Sequence, residues 1–184
     1  MLDPFPLAPS ARLAQLVEPL AAYAHLPSLP LHIHEVVIFA AAYQAMQSVV
    51  APRLSARLFP KTYAKLSPRT RLNWDVHVVS LVQSVAVCGL ALWVMCVDKE
   101  RAAMDWENRV WGYTGGSGLV QALGCGYFLW DLWISLVHVD MFGWGMLAHA
   151  VSALSVFVLG FVSAGCDRET KFELTNCPNR RDHS

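Results

Sequence analysis

Charged side chains vanish from three long stretches of this sequence. Residues 76–97 (VHVVSLVQSVAVCGLALWVMCV) contain no Asp, Glu, Lys or Arg, residues 110–139 contain one, Asp131, and residues 141–166 contain none. Each run reaches the roughly 20 apolar residues a helix needs to cross a hydrocarbon core of about 30 Å. A fourth, weaker run covers 31–52. It is apolar from Val36 onward but carries His32, His34, Glu35, Gln44 and Gln47. Its continuous Ala/Val/Ile/Phe face exceeds what a soluble helix needs. The pattern predicts an all-α, multi-pass transmembrane helical bundle of about four spans, near 31–52, 76–97, 116–138 and 143–165.

The segments between and around the runs refine this. Residues 1–30 form an N-terminal arm. It has no basic n-region, and Pro4, Pro6 and Pro9 break its apolar character, so it does not read as a signal peptide. Residues 10–25 could form a short amphipathic helix on the membrane with Ser10 as N-cap, or a loosely ordered arm. Residues 51–74 hold Arg53, Arg57, Lys61, Lys65, Arg69 and Arg71 with no acid before Asp75, and Pro52, Pro60 and Pro68 keep the segment from being one helix. By the positive-inside rule this loop is cytosolic, which places the arm and the 98–115 loop on the lumenal side. The third and fourth spans are only four or five residues apart and must be antiparallel neighbours. Gly118, Ala122, Gly124 and Gly126 give the third a small-residue face for close packing. Trp130, Trp133 and Trp144 read as an interfacial belt. Residues 166–184 read as a disordered polar tail.

Composition agrees. Of 184 residues 55% are hydrophobic and 15% charged, against about 25% charged in soluble domains. The 14 basic and 14 acidic residues cancel, so no global basic field exists to hold nucleic acid. Cys88 and Cys125 lie within spans as small packing residues. No CxxC, P-loop, GxGxxG or GxSxG occurs, so no cofactor is expected. His32-x-His34 could ligate a metal, but two histidines without a third partner favour an interfacial role, and no metal is expected either.

Ionisable groups inside spans cost about 2.5–3.5 kcal/mol on insertion scales and need a partner or a role. Asp131 and His149 each lie nine residues from a turn centred on Asp140, so they share one depth on adjacent antiparallel helices, about 13 Å from the turn at 1.5 Å per residue. A hydrogen bond or one-water contact between them is expected, although depth does not set azimuth. His77, Ser80 and Ser84 share a face of the second span, below Asp75, and Tyr127 could add a hydroxyl. These groups line either a lipid cavity open to the cytosol or a set of interhelical hydrogen bonds.

Leu72–Ser84 (LNWDVHVVSLVQS), Gly126–Asp131 (GYFLWD) and Gly145–Leu154 (GMLAHAVSAL), in this order and spacing, resemble the TLC-domain family. The resemblance covers roughly residues 27–161. It is strongest to uncharacterised fungal TLC-domain membrane proteins, which share a PSLPLHIHE-like segment (Pro27–Glu35 here). It implies a membrane protein, integral to the endoplasmic reticulum, with a role in lipid homeostasis, lipid sensing or lipid binding. Its partners would be membrane lipids, and its oligomeric state is left open. The family includes ceramide synthases, which imply the alternative of a lipid-modifying acyltransferase using His149 with Asp131. Those enzymes carry two adjacent histidines and a following aspartate-rich stretch. Here the second position is Ala150 and no such stretch follows, so catalysis is poorly supported. The family pattern also continues into further helices beyond Phe161. Val162-Ser163 can be encoded by GTGAGT, a 5′ splice-donor sequence, and the tail is expected to be translated intron.

Overall fold

In the computed structural model, residues 3–162 are described. All regular structure among them is helical. α1 (Ala11–Tyr23) follows Ser10, whose extended backbone starts the helix as an N-cap does, without a side-chain bond. α2 (Leu29–Ala45) enters through Pro30 in its first turn and runs into a π-helical turn, Met46–Val50. α3 (Ala51–Leu58) continues directly, so the first span is a single 30-residue rod, Leu29–Leu58. Pro52 does not end it. Proline lacks an N–H and crowds the carbonyl four residues back, and the widened turn just before it, in which the Ala51 N–H bonds Met46 O, absorbs that misfit. The expected end at residue 52 is therefore too early.

α4 (Pro60–Tyr63) is one turn, and α5 (Pro68–Val97) is again 30 residues. α5 starts eight residues before the charge-free run, because Pro68 suits the first turn of a helix and Ser67 Oγ caps the Thr70 N–H at 3.3 Å. The expected basic loop is thus mostly helix end. Arg53 and Arg57 close the first rod, and Arg69 and Arg71 open the second. Two short helices, α6 (Lys99–Ala103) and α7 (Trp106–Trp111), bridge to α8 (Gly115–Val137), which opens with a Thr114–Ser117 capping box. α9 (Val139–Leu159) begins with one turn, breaks at Gly143, and runs on from Trp144 into a 3₁₀ turn at Gly160–Val162. Gly143 has φ 81° and ψ 164°, a conformation open to glycine and strained for any other residue. The break sits where the sequence places the start of the fourth span.

α8 is the central helix and packs against α2, α5 and α9. Half of its apolar window is buried, against 11% for the fourth span. The small face explains this. Ala122 is fully buried, and a Cβ on Gly126 would lie 2.9 Å from Val36 O and 3.1 Å from Ala40 N, so α2 and α8 touch backbone to backbone. Gly124 faces the other way, against the Phe157 ring of α9. Elsewhere large apolar side chains point outward, among them Leu81, Val85 and Met95 on α5 and Val156 and Leu159 on α9, a surface suited to lipid. Two sequence readings change here. Trp130 is 2% exposed and belongs to the core with Tyr43, Val79 and Ile134, while Trp133 and Trp144 are exposed. Cys125 is buried as expected, whereas Cys88 lies exposed on α5. The expected tail at 166–184 lies outside the described residues.

Candidate functional site

Three layers of polar groups occupy the bundle. At the basic end, the Tyr63 hydroxyl donates to both carboxylate oxygens of Asp75, at 2.8 and 3.1 Å, and Arg71 lies 4.9 Å above the Tyr63 ring. Trp74 Nε1 donates to Ser55 Oγ at 3.0 Å, joining α5 to α3. Tyr63 lies outside the spans. Burial, followed by the neighbouring Asp75 carboxylate, pushes its hydroxyl up to about 12, with Arg71 pulling the other way. Asp75 is thus an anchor that fixes the interhelical loop.

The middle layer holds most of the expected lining residues. Tyr127 donates to Ser80 Oγ at 2.9 Å, linking α8 to α5. Ser80 also donates back to Val76 O at 3.0 Å. Tyr43, from α2, donates to Gln83 Oε1, and its ring packs edge-on against Tyr127 at 5.6 Å and tilted against Trp130 at 6.3 Å. Asp131 is buried one residue beyond Trp130. The Trp130 indole N–H is buried with no hydrogen-bond partner among the described residues. Tyr43, Gln83 and Trp130 join this layer although none of them is among the expected lining residues, and Gln83 and Trp130 lie within the segments that carry the resemblance. Tyr43 was the least visible, because its partner lies 40 residues away on another helix.

The remaining expected residues stand apart. His77 is exposed and its Nδ1–H donates to Asn73 O at 2.7 Å, while Ser84 is exposed and bonded to Ser80 O at 2.9 Å. No hydrogen bond or ion pair joins His149 to Asp131 among the described residues, and the imidazole is exposed while Asp131 is buried. The expected direct contact is therefore not formed: Asp131 turns into the bundle and His149 turns out of it. The inward-facing position beside it is Ala150, at 0% exposure.

At the opposite end from Tyr63 lies a third layer that sequence reasoning set aside. His32 and His34 lie near the start of the first span and are packed inside the protein. They are 1% and 4% exposed, and Glu35, next to His34 on α2, is 0% exposed. His32 Nδ1 meets Glu35 Oε1 at 2.9 Å and Asp3 Oδ2 at 3.5 Å, and its Nε2 meets the Tyr113 hydroxyl. His34 Nε2 bonds Leu7 O at 3.2 Å. The i, i+3 spacing of His32 and Glu35 was readable. The arrival of Asp3 was not.

Four apolar helices long enough to cross a membrane, packed around one small-residue helix with polar groups between them, define an integral multi-pass membrane protein. The sequence signature of the TLC domain matches residues 73–168, and the chain belongs to the TLC-domain family. It is 38% identical over 149 residues to an uncharacterised TLC domain-containing protein of Schizosaccharomyces pombe, a match covering 81% of this chain and 49% of the relative. It is 28% identical over 144 residues to the Topoisomerase I damage affected protein 4 of Saccharomyces cerevisiae, covering 77% and 50% respectively. A TLC domain-containing protein 4-B of Danio rerio is 32% identical over 103 residues, or 54% of this chain and 37% of the relative. The chain spans about half the length of the curated relatives it matches. No solved structure matches it.

Proposed function

We propose that this protein binds membrane lipid through the middle polar layer and serves lipid sensing or homeostasis in the endoplasmic reticulum membrane. The observation that carries this reading is the Trp130 indole N–H, a donor left without an acceptor in the apolar interior. A buried, unsatisfied donor costs about 1–3 kcal/mol. A lipid carbonyl or hydroxyl entering beside Tyr127 and Asp131 would satisfy it. TLC-domain membership supports the lipid class.

The alternative, an acyltransferase with His149 as base and Asp131 orienting it, draws on the equal spacing of the two residues from the turn at Asp140. Against it stand the exposed imidazole, the missing direct bond and the buried methyl of Ala150 at the position of a second histidine. Full-length protein purified in nanodiscs and assayed for co-purifying lipid and for acyl-CoA turnover separates the two. Bound lipid that falls in Trp130→Phe at unchanged folded yield, without turnover, supports binding. Turnover abolished by His149→Ala overturns it in favour of the enzyme.

A further inference from the structure

The layer around His32 has the makings of a metal centre. Asp3, His32 and Glu35 each offer one ligand atom, and the three atoms lie within 4.8 Å of one another. Four-coordinate zinc takes nitrogen and oxygen ligands at about 2.0–2.2 Å, which sets ligand atoms about 3.3 Å apart around the ion. The observed separations from His32 Nδ1, 2.9 Å to Glu35 and 3.5 Å to Asp3, bracket that spacing.

The surroundings also suit an ion. Tyr113 engages His32 Nε2, so Nε2 can keep the ring proton and leave the Nδ1 lone pair facing the two carboxylates, the outer-shell arrangement that orients metal-binding imidazoles. The Phe5 N–H holds Asp3 Oδ1 at 2.9 Å and leaves Oδ2 turned to the cluster. Glu35 Oε2 is buried with no hydrogen-bond partner among the described residues. Two carboxylates facing one imidazole, one of them fully buried, gather negative charge that a cation between them would offset. Among the described residues no lysine or arginine is a hydrogen-bond or ion-pair partner of these three.

We propose that Asp3, His32 and Glu35 bind one divalent transition-metal ion, zinc by the chemistry of the donors, which fastens the N-terminal arm to the mouth of the helix bundle. Three protein ligands leave a fourth position for water or a small anionic or carbonyl ligand. The site is independent of the Trp130 layer, which lies deeper in the bundle.

The test is the metal content of the full chain, purified in detergent through a tag without histidines and measured by plasma mass spectrometry. About one zinc per chain is expected, falling at least tenfold in His32→Ala and Glu35→Gln and remaining in His25→Asn. Because the buried variants can fail to fold, two further measurements stand beside them. Asp3→Asn, on the partly exposed arm, should keep its folded yield and lose metal. Chelator-treated wild type should regain melting temperature when zinc chloride is added, since an ion that binds only the folded state stabilises it. Wild-type protein without bound metal whose melting is unmoved by zinc overturns the proposal. So does metal retained in full by folded Asp3→Asn and Glu35→Gln.

Discussion

Tyr43 and Gln83 meet between the first two spans, where neither can turn to water, and each satisfies a group the other would otherwise strand. Removing one partner leaves a buried polar atom at about 1–3 kcal/mol, whereas removing both can be nearly neutral. Tyr43→Phe or Gln83→Leu alone should therefore lower the unfolding temperature in nanodiscs more than the double change does. The coupling should be near the average of about 0.6 kcal/mol for polar pairs inside membranes and no more than about 1.7, roughly a threefold to twentyfold effect on the folding equilibrium. Tyr63 makes a pH prediction. Its hydroxyl ionises near 10 when unfolded and is pushed up to about 12 when folded, first by burial and then by Asp75. The folded state holds this proton more tightly, so the contribution is complete below pH 10 and is lost as pH rises through about 12. Thermal melts between pH 9 and 12 should show that decline in the wild type and a smaller one in Tyr63→Phe.

At the scale of elements, the contact between α2 and α8 depends on side chains that are absent. Gly126 lies against the α2 backbone, which cannot swing aside as a flexible side chain can. Gly126→Val should lose at least about 2 kcal/mol of stability through overpacking, read as a fall in folded monomer by size-exclusion chromatography in detergent. Gly89 in α5 has nothing within 4 Å of a built Cβ, and Gly89→Ala should gain about 0.5–1 kcal/mol by restricting the unfolded backbone. The contrast was partly legible beforehand. Small residues at 118, 122 and 126 recur every four positions and mark one helix face, but their spacing does not say which helix is pressed against it.

For the molecule as a whole, six basic side chains between Arg53 and Arg71 gather at one end of the bundle, while Asp3, His32 and Glu35 gather at the other. The positive-inside rule places the basic end in the cytosol. Single cysteines introduced as Lys61→Cys and Lys99→Cys should react with a membrane-impermeant maleimide from opposite sides, Lys61→Cys from the cytosolic one. Labelling of both from the same side, or in the reverse sense, rejects this orientation. In that orientation the proposed metal centre lies on the side away from the cytosol and the Tyr63–Asp75 anchor on the cytosolic side.

The runs without charge determined by themselves that this is a four-span helical bundle, because a bilayer admits only segments that satisfy their own backbone and present an apolar exterior. The GYFLWD and GMLAHAVSAL segments determined the family. Helix ends were less legible. Pro52 signals a stop in isolation, yet the π turn before it lets the rod continue, a compensation that depends on backbone geometry over several residues. Counting residues from the turn gave Asp131 and His149 equal offsets but could not say which way each side chain turns about its helix: Asp131 is buried and His149 exposed. The His32 centre was decided wholly by tertiary structure. His32 and Glu35 share a helix face by local periodicity, but Asp3 reaches them from 29 residues away and Tyr113 from 81. Sequence spacing carries angular information only within one helix, and a site assembled from an arm and two helices exists only once they pack.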